Sequence, residues 1–310
     1  MLKTPVAFLI FNRPDLTSIV FDAIAQAKPK KLLVVADGPR FPKEVEKCRK
    51  SRAIIERVDW DCEVSTNFSE INLGCGVRVS SGLNWVFSEV EEAIILEDDC
   101  LPSPSFFSFC ETLLESYRDD ERIMHISGNN FQENQSINNY SYYFSKYNHA
   151  WGWASWRRAW KYFNLNMETW LEFKESGLMK FICEEQNEEE YWTAIFDRMF
   201  FEKPSDIWDY MWIYACWSQN GLSILPNANL VTNIGFGSDA THTSNSESSL
   251  SKLPLTDIWE IKHPPFVVRH READNYTFNS VLCPRNMKNP NLVSVSIKKI
   301  YTDLSNMVRF

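Results

Sequence analysis

The sequence predicts an α/β protein with a mostly parallel sheet and helices packed on both of its faces. Short apolar runs alternate with helical patterns through the first 130 residues, which is typical of parallel βαβ units. One of these runs, Ala93 to Leu96, is followed at once by three adjacent carboxylates. In open α/β sheets ligands bind beyond the carboxyl ends of the strands, so we expect the functional site at that edge.

Five strands and four helices are predicted in alternation in the first half of the chain. The strands are predicted at Val6 to Phe11, Lys31 to Ala36, Cys62 to Asn67, Ala93 to Glu97 and Ile123 to Ser127. The helices are predicted at about Asp15 to Ala27, Pro42 to Val58, Val77 to Val90 and Ser105 to Tyr117. The first, second and fifth strands end in polar or glycine-containing turns, which right-handed crossovers place at one edge of the sheet.

Glu97, Asp98 and Asp99 form an acid cluster at the end of the fourth strand. Adjacent carboxylates repel one another unless a cation lies between them, and oxygen ligands suit Mg²⁺ or Mn²⁺, which in turn hold a diphosphate. The alternative is a turn in which the two aspartates cap the helix that follows Pro102. The sequence has no GxGxxG after the first strand and no GxxxxGK[ST], so a carboxylate-held metal is the predicted phosphate-binding device.

The composition argues against several classes of function. A net charge of -9 over 310 residues argues against nucleic acid as the main partner, because phosphate backbones are bound by accumulated Lys and Arg. The 8 cysteines show neither CxxC spacing nor zinc-ligand pairing with histidine, so they are interpreted as free thiols of a reducing compartment. With no run of 18 apolar residues and no signal-peptide pattern, a cytoplasmic protein is expected.

The second half is rich in tryptophan. Residues 149 to 163 hold four tryptophans, and the i, i+4 spacing of the last two predicts an amphipathic helix packed on the sheet. The preceding Trp151-Gly152-Trp153 has a second interpretation, because glycine lets the backbone approach a ligand and aromatic faces stack on sugars and bases. Trp151 and Trp153 are therefore candidates for the donor or acceptor pocket.

The order of these motifs resembles that of the GT-A glycosyltransferases, in particular bacterial family-2-like and N-acetylglucosaminyltransferase I-like enzymes. Four segments carry the resemblance: Val6 to Pro14, Val34 to Gly38, Asn72 to Arg78, and Ile95 to Leu101 with the Pro104 to Phe107 helix start. It covers residues 4 to about 243 and implies a Rossmann-like domain at 1–245. This domain would comprise a nucleotide-sugar half, 1–130, and an aromatic-rich helical acceptor-side half, 131–245, followed by an extension at 246–310.

The resemblance also implies roles for single residues. Nucleotide-sugar contacts are implied for Asn12, Arg13, Asp37, Arg78, Glu97 and Asp98. Asp99 would bind the metal, Mn²⁺ or Mg²⁺, directly. As alternatives, Arg13 and Asp37 are ordinary turn residues, and Arg78 pairs with Glu89 or another surface acid.

Two further segments resemble functional parts of the same family. Asp209, with Asp206 as runner-up, matches the acid at the start of the helix that supplies the base in inverting enzymes, although a helix cap is the alternative. A loop with glycine hinges at Gly235 and Gly237 would close over the diphosphate, and its His242 would complete the metal shell. His149 is a weaker candidate for a substrate hydrogen bond.

The predicted function is metal-dependent, inverting transfer of a sugar from a nucleotide-diphospho-sugar, a UDP-sugar by the resemblance, to a hydroxyl of a glycan or lipid-linked saccharide. The alternatives are a non-catalytic nucleotide-sugar-binding or haemolysin/adhesion-type protein on the same fold, and a nucleotidyltransferase. The latter would normally carry a glycine-rich, basic loop after the first strand. Residues 291–310 have an amphipathic helical pattern that would dock on the domain, on a second subunit or peripherally on the inner membrane face.

Overall fold

The computed structural model of the chain describes residues 1–133, 137–236 and 253–283. The strands in these residues are β1 Val6–Ile10, β2 Lys31–Ala36, β3 Glu63–Phe68, β4 Glu92–Glu97, β5 Cys100–Pro102, β6 Ile123–Ser127, β7 Tyr142–Ser145, β8 Trp153–Trp156, β9 Leu222–Pro226 and β10 Val231–Asn233. The α-helices are α1 Pro14–Ala27, α2 Val45–Ala53, α3 Cys75–Glu89, α4 Pro104–Ser116, α5 Arg157–Trp160, α6 Trp170–Glu175, α7 Met179–Ile182, α8 Gln186–Glu202, α9 Asp209–Ser218 and α10 Arg271–Tyr276. Short 3₁₀ helices at Pro42–Glu44 and Ile54–Arg57 flank α2, and a π-helix at Thr277–Leu282 follows α10.

Eight strands form one sheet in the order β3-β2-β1-β4-β8-β6-β9-β7, while β5 and β10 form a separate antiparallel pair. The predicted α/β fold is confirmed, and each of the five predicted strands is present to within one residue at either end. β1 and β4 are buried apolar runs, as expected for parallel strands that helices cover on both faces. β1 pairs in parallel with both β2 and β4, so the carboxyl ends of these three strands lie together.

The helix predicted over the tryptophan-rich segment is wrong in its first half. Trp153–Trp156 instead forms β8, which lies between β4 and β6 and is antiparallel to both. Trp156 therefore packs on one side of the sheet, where its indole N–H donates to the Leu114 carbonyl at 3.2 Å. Trp160, in α5, packs on the other side and donates to Asn84 Oδ1 at 2.8 Å. The i, i+4 pair does not share a helical face because the ladder of the central sheet takes priority over helical spacing.

Apolar cores cover both faces of the sheet. One lies under α3, α8 and α9 and is dominated by aromatic rings, including those of Trp153, Trp192 and Trp212. The other lies under α1 and α4. No helix in the described residues is long and apolar enough to span a membrane. The predicted hinge Gly237, the candidate ligand His242 and the amphipathic segment 291–310 lie outside the described residues.

The small β5–β10 pair shapes the edge of the large sheet. Asp98 and Asp99 form the turn between β4 and β5. Because β10 pairs with β5 from Val231 opposite Pro102 to Asn233 opposite Cys100, the residues after β10 pass directly over this turn.

Candidate active site

Arg13 lies between two aspartates of the acid cluster. Its Nη1 is 3.0 Å from Asp99 Oδ2, and its Nη2 pairs with Asp98 Oδ1. The Phe11 backbone N–H donates to Asp98 Oδ2 at 3.1 Å, so the end of β1 holds this carboxylate from a second direction. Asp98 is 2% exposed and Asp99 is 8% exposed. Parallel pairing of β1 with β4 therefore brings the guanidinium of Arg13 next to two buried carboxylates.

The acid cluster perturbs the ionisation of its members. Burial, followed by the carboxylates of Asp99 and Asp98, raises the pKa of Glu97 to about 8. Burial also raises the pKa of Asp98, although the Arg13 guanidinium opposes this shift. Burial works against the charge of Arg13, but the two aspartates outweigh it and raise the pKa of the guanidinium. At neutral pH Glu97 is therefore largely protonated, while the Arg13 guanidinium keeps its charge between the two aspartates.

The start of α3 and the start of α9 meet beside the acid cluster. The Gly76 N–H donates to the Ser205 carbonyl at 2.8 Å, which joins the two segments. Burial raises the pKa of the Cys75 thiol well above its usual value, and the carboxylates of Glu97, Asp209, Asp206 and Asp99 add to this shift. Both base candidates, Asp206 and Asp209, therefore lie close enough to Cys75 to act on the same thiol as the acid cluster does.

Asp209 is the first residue of α9 and is exposed. Its carboxylate is close enough to Glu97 to contribute to the raised pKa of that residue. The preceding Trp208 is buried and stacks on Trp153 with ring centroids 5.8 Å apart. The aromatic residues around the start of α9 thus anchor the helix and leave Asp209 facing solvent near the acid cluster.

The segment after β10 covers Asp99. The Ile234 N–H donates to the Asp99 carbonyl at 2.8 Å, and the Gly235 N–H donates to Asn233 Oδ1 at 2.8 Å. A methyl group on Gly235 would overlap the Asp99 carboxylate and lie 2.9 Å from Arg13 Nη1. Glycine is therefore required at position 235 by close approach, a reason that differs from the hinge suggested by the sequence.

Asp37, at the end of β2, is buried and organises the turn that leads into α3. Its carboxylate accepts hydrogen bonds from the Gly38 and Leu73 N–H groups at 2.9 Å, from Asn72 Nδ2 at 3.0 Å and from the Gly74 N–H at 3.2 Å. Burial raises its pKa, although the backbone donors oppose the shift. The structure thus shows Asp37 bonded extensively within its own chain.

Arg78 and Asn12 also have partners within the chain. Arg78 Nε donates to the Ala36 carbonyl at 3.1 Å, and its Nη2 donates to Asn67 Oδ1 at 2.8 Å, so it ties the ends of β2 and β3 together rather than pairing with Glu89. Asn12 Nδ2 donates to Glu44 Oε1 at 3.0 Å. Sequence reasoning missed Glu44, which connects the β1 turn to the loop after β2.

The two tryptophans of the Trp-Gly-Trp motif have different environments. Trp153 is fully buried, and its ring stacks on His125 with centroids 5.0 Å apart. Trp151 is partly exposed and makes edge-to-face contacts with Phe131 at 5.4 Å and Phe236 at 5.7 Å. The structure brings Trp151 to the site edge and places Trp153 in the core.

His149 is buried against the Phe131 ring, with centroids 4.3 Å apart. Burial lowers its pKa to about 3, so the imidazole is neutral at physiological pH. Its Nε2 has no hydrogen-bond partner among the residues that the structure describes. The neutral imidazole therefore contacts the same Phe131 ring as Trp151 does, and its Nε2 is buried without a hydrogen bond to any described residue.

A divalent cation at this edge would depend mainly on Asp99. Within the described ranges, no group of three or more His, Cys, Asp or Glu side chains is arranged to hold a metal ion. Mg²⁺ and Mn²⁺ sites that bind substrate phosphates need only one or two protein carboxylates, because phosphates and water supply the remaining ligands. The neighbouring Cys100 thiol has a pKa raised well above its usual value, chiefly by burial, and stays protonated. The oxygen-only donor set therefore fits a hard cation.

Comparison with known proteins gives distant structural similarities only. No family model and no curated protein matches the chain. An inositol-1-phosphate CTP transferase from T. maritima matches with a TM-score of 0.39 and 11% identity, over 76% of this chain and 91% of that one. HddC from Yersinia pseudotuberculosis complexed with GMP-PN matches with a TM-score of 0.31 and 7% identity, over 50% of this chain and 78% of that one. A UDP-glucose pyrophosphorylase complexed with UDP-glucose matches with a TM-score of 0.26 and 14% identity, over 47% of this chain and 62% of that one. Similarity at this level leaves the function of this chain to be argued from its own residues.

Proposed function

We propose that the protein is a metal-dependent glycosyltransferase that moves a sugar from a UDP-sugar to a hydroxyl group of a saccharide or lipid-linked saccharide, with inversion. The observation that carries the proposal is the buried pair Asp98 and Asp99, held by Arg13 at the carboxyl edge of the parallel strands. This edge is where α/β sheets bind nucleotides. In this proposal the nucleotide would lie over the ends of β1 and β2, near Asn12, Arg13 and Asp37.

A purely structural role accounts poorly for the charges at this edge. Taking a carboxylate out of water costs several kcal/mol, and a single guanidinium offsets this desolvation free energy only in part when two aspartates are buried. Glu97, which its raised pKa leaves largely protonated at neutral pH, ends β4 beside them, and Asp206 and Asp209 act electrostatically on the nearby Cys75. An apolar turn of the same shape would be less costly to bury, so two buried aspartates that share one guanidinium support a cationic ligand.

The leaving diphosphate would be bound beside Asp99 and Arg13. Asp99 is the more exposed of the two aspartates and is the proposed metal ligand. When bound there, Mn²⁺ or Mg²⁺ supplies positive charge to the phosphate oxygens. Arg13 orients both aspartates and presents a guanidinium, which matches the geometry of phosphate oxygens. Asp98 and Glu97 would contact the ribose and the sugar.

Asp209 is the proposed general base. It is exposed at the start of α9, and its charge acts on Glu97, so it lies near the acid cluster. In the proposed reaction the acceptor oxygen bonds to the anomeric carbon as the bond from that carbon to the diphosphate oxygen breaks. Asp209 takes the proton of the acceptor hydroxyl, and the diphosphate leaves with the bonding electrons. A single displacement of this kind inverts the anomeric configuration.

Isothermal calorimetry of UDP binding in the presence of Mn²⁺ tests the donor site. Wild type should bind UDP with Mn²⁺ and lose binding on addition of EDTA, and Asp99→Asn should weaken binding at least tenfold. Asp119→Asn is a matched control, because Asp119 is an exposed acid beyond α4, at the amino end of β6. Equal binding with and without metal, or an equal affinity of the Asp99 variant, would contradict the proposal.

A further inference from the structure

Trp151 and Phe236 form a pair of partly exposed aromatic rings beside the acid cluster. Their centroids are 5.7 Å apart, and their planes are almost perpendicular at 87°. Phe236 directly follows Gly235, the residue that lies against the Asp99 carboxylate. The pair, called here the aromatic corner, therefore includes the chain neighbour of the residue that contacts the proposed metal ligand.

The backbone at Gly152 sets the direction of Trp151. Gly152 has a φ of +68°, and a Cβ at this position would lie 2.7 Å from Val231 Cγ2. The Gly152 carbonyl accepts a hydrogen bond from the Gly128 N–H at 2.8 Å. This left-handed residue separates Trp153, buried in the core under α9, from Trp151, which packs toward the core on the other face and remains partly exposed.

The aromatic corner lies on the side of β4 that faces away from the nucleotide strands. In the sheet order, β1, β2 and β3 lie on one side of β4, and β8 lies on the other. Trp153 in β8 is the register partner of Ile95, two residues before Glu97, so Trp151 lies at the edge where β4 ends. The acid cluster thus separates the proposed nucleotide side from the aromatic corner.

Phe131 supports the corner through a buried amide network. Asn129 Nδ2 donates to the Val231 carbonyl at 3.0 Å, and the Asn130 N–H donates to Asn229 Oδ1 at 3.1 Å. The Gln132 N–H donates to Asn130 Oδ1 at 2.8 Å, so residues on both sides of Phe131 are fixed. A rigid support of this kind holds the Trp151 ring in place at little entropic cost on binding.

We infer that the aromatic corner binds a pyranose ring of the acceptor saccharide, with the apolar face of the sugar stacked on one of the two perpendicular rings and its edge against the other. The inference rests on the proposed function and specifies its acceptor. Aromatic faces are electron-rich and attract the polarised C–H groups of a sugar face, while the sugar hydroxyls remain available for hydrogen bonds. The location beyond the acid cluster assigns this ring to the acceptor rather than to the donor nucleotide.

Binding of the whole protein to an array of immobilised oligosaccharides, without nucleotide, tests the inference. Wild type should bind glycans that contain hexopyranosides, and Trp151→Ala and Phe236→Leu should each lose at least tenfold in apparent affinity. Phe236→Tyr keeps the ring and should retain binding, whereas a packing role alone would tolerate leucine equally well. Trp259→Ala removes an exposed tryptophan elsewhere and should bind as wild type does.

The inference is overturned if wild type binds no arrayed glycan, if Trp151→Ala binds as well as wild type while folded, or if Trp259→Ala loses as much. Thermal unfolding of each variant establishes that it is folded. A loss of UDP-sugar affinity relative to UDP in Trp151→Ala would assign the corner to the donor and also overturn the inference. Glycan binding with no metal-dependent UDP binding would instead reject the proposed transferase function and keep the glycan site.

Discussion

Gly235→Ala introduces the smallest change that reaches the proposed metal ligand. The added methyl group would lie 2.8 Å from Asp99 Cβ and 2.9 Å from Arg13 Nη1, and it would overlap the Asp99 carboxylate. Ordinary contact begins at 3.4 Å, so Asp99 Cβ and the segment must separate by about 0.6 Å, and the overlapped carboxylate oxygen by about 1 Å. The Ile234 and Gly235 hydrogen bonds resist movement of the segment, so the displacement falls partly on Asp99.

The expected cost of this overlap is about 1–3 kcal/mol in the free energy of unfolding, as for an overpacked site. Displacement of a ligand carboxylate by several tenths of an ångström should also weaken UDP–Mn²⁺ binding about tenfold, which corresponds to about 1.4 kcal/mol. Urea denaturation measures the first effect, and calorimetry with UDP and Mn²⁺ measures the second.

Gly177→Ala is the matched control. Gly177 has a φ of +64°, and the heavy atom nearest to an added Cβ is Lys180 Nζ at 3.8 Å, so alanine there strains the backbone without a steric overlap. This variant should lose about 1–2 kcal/mol of stability and keep wild-type UDP affinity. The reasoning is refuted if Gly235→Ala keeps both wild-type stability and affinity, or if Gly177→Ala weakens UDP binding to the same degree.

Three further predictions concern the base and the buried rings. Asp209→Asn should lower kcat about 10²–10⁴-fold with little change in UDP affinity, and Asp206→Asn should not; equal loss in both variants would remove the assignment of the base. Because the pKa of His149 is about 3 and that of an unfolded histidine is about 6.5, the unfolded chain takes up a proton that the native chain refuses as the pH falls between these values. Stability is therefore lost on acidification. His149→Phe should reduce the slope of the unfolding free energy against pH by about 1.4 kcal/mol per pH unit between pH 6 and 4. Equal slopes for wild type and variant, measured by urea denaturation at each pH, would contradict the burial argument. Trp153→Ala should lower the free energy of unfolding, measured by urea denaturation, by about 3–5 kcal/mol. Trp151→Ala should lower it distinctly less because Trp151 is partly exposed, and equal losses would show that the two rings are equally buried.

The parallel strands and the acid cluster could be predicted because their causes are local in the sequence. A strand covered on both faces needs a continuous apolar run, and β1, β2 and β4 each have one. Polar turns mark where these runs end. The crossover rule then places the turns at one edge without any knowledge of the long-range contacts.

β8 was beyond such reasoning because its cause is distant in the chain. Its four residues pair with β4, about sixty positions earlier, and with β6. A buried run of this length has no periodicity that separates a strand from a helix, and the Trp156–Trp160 spacing favours the wrong choice. Pairing with β4 and β6 makes this segment a strand.

The candidate site residues could be proposed from the sequence, but their pairings could not. Arg13 and Asp98 are 85 positions apart, and only the β1–β4 register shows that they meet. Likewise, the many hydrogen bonds from the turn before α3 to Asp37 depend on the approach of that turn to β2. Phe236 was not proposed at all, because a phenylalanine between two glycines carries no local sign that it packs on Trp151.

The most direct test of the central claim is product analysis of UDP-sugars incubated with the protein and Mn²⁺, with water, added glycans or added pyrophosphate as the acceptor. The proposed transferase releases UDP from at least one UDP-sugar in a metal-dependent manner, and Asp99→Asn and Asp209→Asn lose this activity. Formation of UTP from a UDP-sugar and pyrophosphate would contradict the account and indicate nucleotidyl transfer. UDP-sugars that are bound but left intact would contradict it in favour of a binding protein.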